Sequence, residues 1–589
     1  MKKQVVILIL SVVLALSCIA LVACGPQPSK GLKYTLSQDG TYYTVIGLGQ
    51  CTDTDIVIAS TYEDKPVLAI RDGAFAENTQ ITSVTIPNTI TEIGEKAFWH
   101  CKNLATVTFQ EGSQLTTLGK RAFAYCTKLQ SVVIPNGVTT LDCTFEYCES
   151  LANVAFQQDS QLETLIGTFY QCDSIASIQL PNQLKRIGSR AFVSCDNLES
   201  ITILANVVEL GGSAFANCQK LKRVTFEQNS QLTCIGEDAF RECTSLESIV
   251  IPANVEEVGI RAFLRAGINS VVFEEGSKVT CLRDSVFYDC ANLKTVVLPQ
   301  NITTIMDGVF LDCSSLETIT IPASVMYLGD TYSMKIGEPV FGNCTNLKSV
   351  VFENGVQIKY IGMYIFKDCT SLESIQIPNG VEEILQYAFI GCTNLQNVTI
   401  PSSVTTIEHH AFEECYSLTS LTIPSSVTNI DQGAFINCKK LATITIEGTP
   451  DIADHVFDNT AFHQNNWENG MLYLDHILVY ATSTTTSCTI KPSTVIIAGG
   501  AFLNCTKLTS IVIPSGVKFI GDFAFRNCSN LKSVTIPASV TSIGYCAFFQ
   551  CPSLKTVYYE GTAEQWDDIF INGENSALLN ANIVYNHKG

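Results

Sequence analysis

Ser533-Val534-Thr535-Ile536-Pro537-Ala538-Ser539-Val540-Thr541-Ser542-Ile543-Gly544, followed by Ala547-Phe548 and Cys551, is a phrase that the chain repeats. Variants run from Ser131 to Val138, from Ile377 to Ile384 and from Ile400 to Cys415. Its phenylalanine returns at Phe75, Phe98, Phe123, Phe145, Phe169, Phe192, Phe215, Phe240, Phe263, Phe287, Phe310, Phe341, Phe366, Phe389, Phe412, Phe435, Phe457, Phe502, Phe525 and Phe548, mostly 23 residues apart. Self-similarity at a fixed short period marks stacked repeats, in which each unit touches only its neighbours.

The unit reads physically. Between Leu395 and Ile400, Val398 and Ile400 alternate with Asn397 and Thr399, the period-two pattern of a half-buried strand. Pro401 closes it, because proline has no N–H to give to a ladder. Val404 and Ile407 point inward from a second short extended piece. Ala411, Phe412 and Cys415, at spacings of three and four, predict a helical turn, and Leu418 leads into the next strand. One unit buries too little apolar surface to order its own backbone, so neighbours must stack and share strand hydrogen bonds. The expected architecture is an α/β, β-rich solenoid of about twenty coils of ~23 residues, with a parallel sheet and short helical turns. Its expected core includes Phe98, Phe123, Phe192, Phe240, Phe389, Phe412 and Phe525, with Cys101, Cys126, Cys195, Cys392, Cys415 and Cys528 three residues after them.

Leu104-Ala105-Thr106-Val107-Thr108-Phe109 fits the L-x-x-L-x-L core of leucine-rich repeats. The Ile-Pro-x-x-Val, Ile-Gly and Ala-Phe-x-x-Cys phrasing resembles the BspA-like bacterial surface proteins of that class, over about residues 65–585. The resemblance implies a non-catalytic, adhesin-like protein that binds host matrix proteins, other surface proteins or glycans through an extended repeat surface. The alternative is a structural or scaffold lipoprotein of the cell envelope. Better-known horseshoes carry Asn or Cys three residues after L-x-L. Gly137 and Ser403 stand there in this chain, so their curvature is not expected to carry over.

Composition agrees with an ordered array. The 589 residues are 46% hydrophobic and only 16% charged, which excludes a disordered chain. Thirty-six basic against 56 acidic residues give a net charge of −20, which disfavours a nucleic-acid partner.

The amino end reads as an address. Lys2 and Lys3 precede an uncharged apolar run from Val5 to Ala23, the layout of a secretory signal. Leu21-Val22-Ala23-Cys24-Gly25 resembles the lipobox of bacterial lipoproteins. That resemblance implies a diacylglyceryl thioether on Cys24, a membrane anchor, and an extracytoplasmic location, with an uncleaved anchor helix as the other reading. The organisation is then a signal peptide at 1–23, a tether at 24–32, a capping hairpin region at 33–70, the solenoid at 71–557 and a C-terminal cap at 558–589. Insertions are expected near 326–337 and 458–497, the second with a hairpin turning at Asp475-His476. Asp39-Gly40 reads as the turn of the first hairpin, and Trp566 as a cover for the last coil, with sugar stacking as its other reading.

Little points to chemistry. The in-phase cysteines read as buried free thiols, since stacked Cβ atoms lie ~4.8 Å apart and a disulfide wants ~3.8 Å. No C-x-x-C, H-E-x-x-H, P-loop or G-x-S-x-G motif occurs. His455, His463 and His476 share the irregular region; solvated loop positions are the expected reading and a metal the other. No catalytic residue, metal or cofactor is therefore expected. Ser and Thr fill the outward strand positions, as at Ser83, Thr85, Ser533 and Thr535, giving a weakly charged, hydrogen-bonding face.

Overall fold

A computed structural model describes residues 27–329 and 338–588. Cys24, the signal segment 1–23 and most of the 326–337 insertion lie outside the described residues. The chain divides into two compact units, one ending at Leu184 and the other beginning at Lys185. Both are β-solenoid in character, with parallel strands and few helices.

Each regular coil has three sides. The first is the four-residue strand of the phrase, such as Ser83–Ile86, whose alternate side chains Val84 and Ile86 are buried. The second is a two-residue strand such as Glu92–Ile93, which pairs in parallel with Thr117–Leu118 of the next coil. The third is the Ala-Phe-x-x-Cys segment. It closes short i to i−3 bonds, as from Trp99 N to Lys96 O (3.0 Å) and from Cys101 N to Phe98 O (3.2 Å). It does not continue as a helix, because residues two before and two after the phenylalanine are left-handed, with φ of 53° at Lys96 and 61° at His100. That geometry turns alternate N–H groups toward the neighbouring coil: Lys96 N donates to Lys120 O (2.9 Å), Phe98 N to Ala122 O (2.8 Å) and His100 N to Ala124 O (2.9 Å). The helical turn read from spacing is thus a chain of tight turns with a ladder of its own. Among the described residues no Val, Ile or Thr has positive φ, as the steric cost for β-branched side chains requires.

The phenylalanines form the axis of the core. Within the first unit Phe75, Phe98, Phe123, Phe145 and Phe169 stack with centroids 4.9–6.0 Å apart. In the second, the stack runs from Phe192 to Phe457 and resumes from Phe502 to Phe548. At Gly236 the coils approach so closely that an added Cβ would sit 2.6 Å from the carbonyl carbon of Gly211.

The residue after each first strand influences how far neighbours stay paired. Where Gln or Glu follows, four residues pair with the preceding strand, as in Ser200–Ile203 with Arg223–Phe226 and Thr318–Ile321 with Ser349–Phe352. The following N–H then extends the ladder, from Glu227 to Ile203 O and from Glu353 to Ile321 O, both at 3.0 Å. Their carboxylates also reach back, Glu227 to Ala205 N (2.9 Å) and Glu353 to Ala323 N (3.1 Å). Where the next coil instead reads Ile-Pro, that N–H is missing. Arg223–Phe226 keeps only the Arg223–Ser248 pair with its successor, and Ser349–Phe352 only Ser349–Ser374. Ser270–Phe273 is an exception, keeping three pairs with Thr295–Val297.

The ends are closed by different means. Lys33–Leu36 and Tyr43–Gly47 form an antiparallel hairpin whose Asp39 carboxylate accepts from the Ser37 hydroxyl and Thr41 N–H. At the other end Thr562 and Gln565 form a capping box on the helix Ala563–Asp567, which buries Trp566 edge-on against Tyr559.

Candidate binding surface

The outer face of the first strands carries the features that a partner would meet. Its outward side chains are chiefly Ser and Thr, interrupted by Val250, Val272 and Val297, which stand in register on adjacent coils and are 47%, 42% and 61% exposed. The parting of Ser349–Phe352 from Ser374–Gln376 opens a slot of about 320 Å³. Val351, Phe352, Val356 and Pro378 form its apolar lining, and Glu353, Asn354, Ser374, Gln376 and Asn379 its polar one. Glu353 is already engaged: one carboxylate oxygen accepts from Ala323 N and the other from the Gln300 amide at 3.3 Å. A second shallow cavity of about 410 Å³, beside the helix Ser576–Leu579, is lined by Asn527, Gln550, Ser576 and Asn580 among others. Sequence reading missed both. A Phe-Glu coil followed by an Ile-Pro coil was the available signal for the first.

The 451–497 region contains a cluster of linked polar side chains. The short helix Ala461–Asn465, capped by Thr460, is followed by the antiparallel hairpin Met471–Leu474 and Ile477–Ala481, with Asp475 in its turn. Phe462 meets Phe457 edge-on and interrupts the stack there. Phe457 N, which in a regular coil donates to the next backbone carbonyl, donates instead to the Tyr480 hydroxyl at 3.2 Å. That hydroxyl also bonds Asp458, whose carboxylate lies 2.7 Å from His455 Nδ1. Burial pushes the Asp458 carboxyl up, but the bonds from His455 and Tyr480 outweigh it and hold it below the usual range. The bond to Asp458 raises the His455 imidazole. Burial, then the charges of Asp522 and Asp431, lift Asp451 to about 6. The three histidines do not converge on one cleft. His463 packs against Trp467 and Tyr480, and His476 pairs with Asp475 at the hairpin tip. Among the described residues no group of three side chains is placed to hold a metal.

The predicted core residues line the interior. Phe98, Phe123, Phe192, Phe240, Phe389, Phe412 and Phe525 are buried, as are Cys101, Cys126, Cys195, Cys392, Cys415 and Cys528. The thiols are free. In the regular coils the sulfur can donate to the phenylalanine carbonyl of the coil before, as Cys101 does to Phe75 O (3.1 Å), Cys392 to Phe366 O (3.1 Å) and Cys528 to Phe502 O (3.2 Å), whereas Cys505, after the hairpin, reaches Thr482 O at 3.6 Å. Burial pushes the Cys101 thiol up to about 12, so it is un-ionised and inert at neutral pH.

The family model of the BspA type leucine-rich repeat region matches residues 68–165, 164–279, 228–333, 334–464 and 475–583. The chain belongs to that family. Among curated proteins none matches it. Solved structures similar to this BspA-type chain include a leucine-rich repeat protein from Bacteroides ovatus, at 22% identity and TM-score 0.33, covering 96% of this chain and 100% of that one. A leucine rich cell surface protein from Faecalibacterium prausnitzii is 20% identical with TM-score 0.21, covering 94% and 99%. The pneumococcal vaccine antigen PcpA is 17% identical with TM-score 0.23, covering 96% and 98%.

Proposed function

We propose that this BspA-type chain is a non-catalytic, adhesin-like cell-surface protein, anchored through lipid on Cys24, that binds proteins or glycans of a host or of neighbouring bacteria. The observation that carries the reading is the outer strand face: rows of Ser and Thr in register over successive coils, with exposed valines and an open slot among them. Many shallow contacts along such a face add, so that avidity replaces one deep pocket. Binding of the 25–589 fragment to immobilised matrix proteins and glycans tests it. Retention at micromolar concentration is expected, and loss of every interaction there overturns it. Protease treatment of intact cells separates this reading from an inward-facing scaffold, since a surface protein is cleaved and a shielded one is not. Mass spectrometry of the mature amino end tests the lipid on Cys24.

A further inference from the structure

We propose that the slot between Ser349–Phe352 and Ser374–Gln376 is a subsite for a neutral, hydroxyl-rich ligand: a short oligosaccharide stretch of a glycan. The inference rests on the reading of the chain as a surface binder and names a ligand class and a place for it.

The slot exists for a reason written in the chain. Glu353 draws its strand toward the preceding coil through its own N–H and its carboxylate. Pro378 follows Ile377 in the next coil and has no N–H to hold the other side. Ile377 N donates forward, to Thr399 O at 3.1 Å. The two strands are thus bonded away from each other after their first residues, and the gap between them is built into the ladder.

Its lining selects by chemistry. The Asn354, Gln376 and Asn379 amides and the Ser374 hydroxyl offer both donors and acceptors, and none is used within the described protein. Phe352 and Pro378 supply an apolar wall against which the C–H face of a sugar ring can lie. The one lining charge, Glu353, is spent on Ala323 N and Gln300. No cation lines the slot to neutralise an acidic ligand, and no uncommitted carboxylate lines it to attract a basic one. A volume of about 320 Å³ is at the small end for ligand pockets and fits one or two sugar rings.

The test uses the full-length chain in mild detergent on an array of neutral, acidic and basic oligosaccharides and of short peptides, followed by titration of the best neutral hit. The variants are the double substitution Gln376→Ala/Asn379→Ala, which removes unused amides, and Ser374→Trp, which fills the slot from an exposed position. Binding of a neutral oligosaccharide weakened about tenfold or more by both variants, at unchanged melting temperature, is expected. Three results overturn the proposal: no neutral oligosaccharide binds, the variants bind it as well as the parent does, or a peptide is the ligand that Ser374→Trp displaces. If the slot variants keep matrix-protein or cell binding while the sugar test fails, the subsite falls and the surface-binding reading stands. If the parent binds nothing, both fall.

Discussion

The coils around Phe240 and the junction between Phe457 and Phe502 solve one problem in two ways. In the regular coils the donors of the third side meet backbone carbonyls, alternately within the coil and on the next one, as Arg241 N meets Asp238 O at 3.1 Å and Phe240 N meets Ala262 O at 2.7 Å. At the junction the hairpin interrupts the stack, and side chains take over: the Tyr480 hydroxyl receives Phe457 N, and Asp458 and His455 hold the hydroxyl in turn. Backbone satisfaction is indifferent to pH and to most substitutions, whereas side-chain satisfaction depends on particular residues and their charge. The contrast predicts where the molecule is robust and where it is sensitive.

The largest effect is expected in the regular run. Phe240 stacks between Phe215 and Phe263 at 5.4 and 5.3 Å and is fully buried. Phe240→Ala should cost about 3–5 kcal/mol in chemical denaturation, against under about 0.5 kcal/mol for a change at exposed Val297. Equal costs would mean that the stack is not the core. Next comes the junction. Tyr480→Phe leaves Phe457 N and Asp458 short of a partner and should cost about 1–3 kcal/mol. Hydrogen exchange should rise at residues 455–480 and stay unchanged near Phe240.

A somewhat smaller effect follows from pH. Asp451 is raised, so its contribution is complete below the ordinary carboxylate value and is lost as pH rises through about 6. Raised His455 has the same sign: its contribution is lost as pH climbs past the elevated imidazole value. Lowered Asp458 acts oppositely, but its contribution is lost only as pH falls through its depressed value. The junction should therefore be more stable at pH 5 than at pH 8, by about 1–2 kcal/mol. Trp467 fluorescence during thermal melting reads this, and Asp451→Asn should flatten the difference. An effect of similar size concerns a single φ. Asn437 sits at φ 64°, and Asn437→Val should cost about 1–2 kcal/mol while Asn437→Gly stays near neutral.

The fold was legible because its signals are local and repeated. The alternation at Val398 and Ile400, the stop at Pro401 and the return of Phe412 each need only a few residues of context. What escaped were contacts across coils. Glu227 reads as part of a longer turn, and its partner Ala205 N is brought within reach only by stacking. The left-handed residues at Lys96 and His100 were hidden because spacings of three and four suit a helix as well as a chain of turns. Tyr480 carried no signal at all: its role exists only because the stack is broken beside it. The slot at Phe352 was half-written, in the Phe-Glu spelling of one coil and the Ile-Pro spelling of the next.

The shared bonding register of the third side has a genetic consequence. Every regular coil presents the same acceptors that its neighbour's donors require, so loss or duplication of one whole period leaves no orphan at the seam. A cut out of phase leaves several. The gene can therefore lengthen or shorten this protein by unequal recombination in whole-period steps, while segments such as Phe457 to Phe502, matched to their own replacements, must be inherited intact.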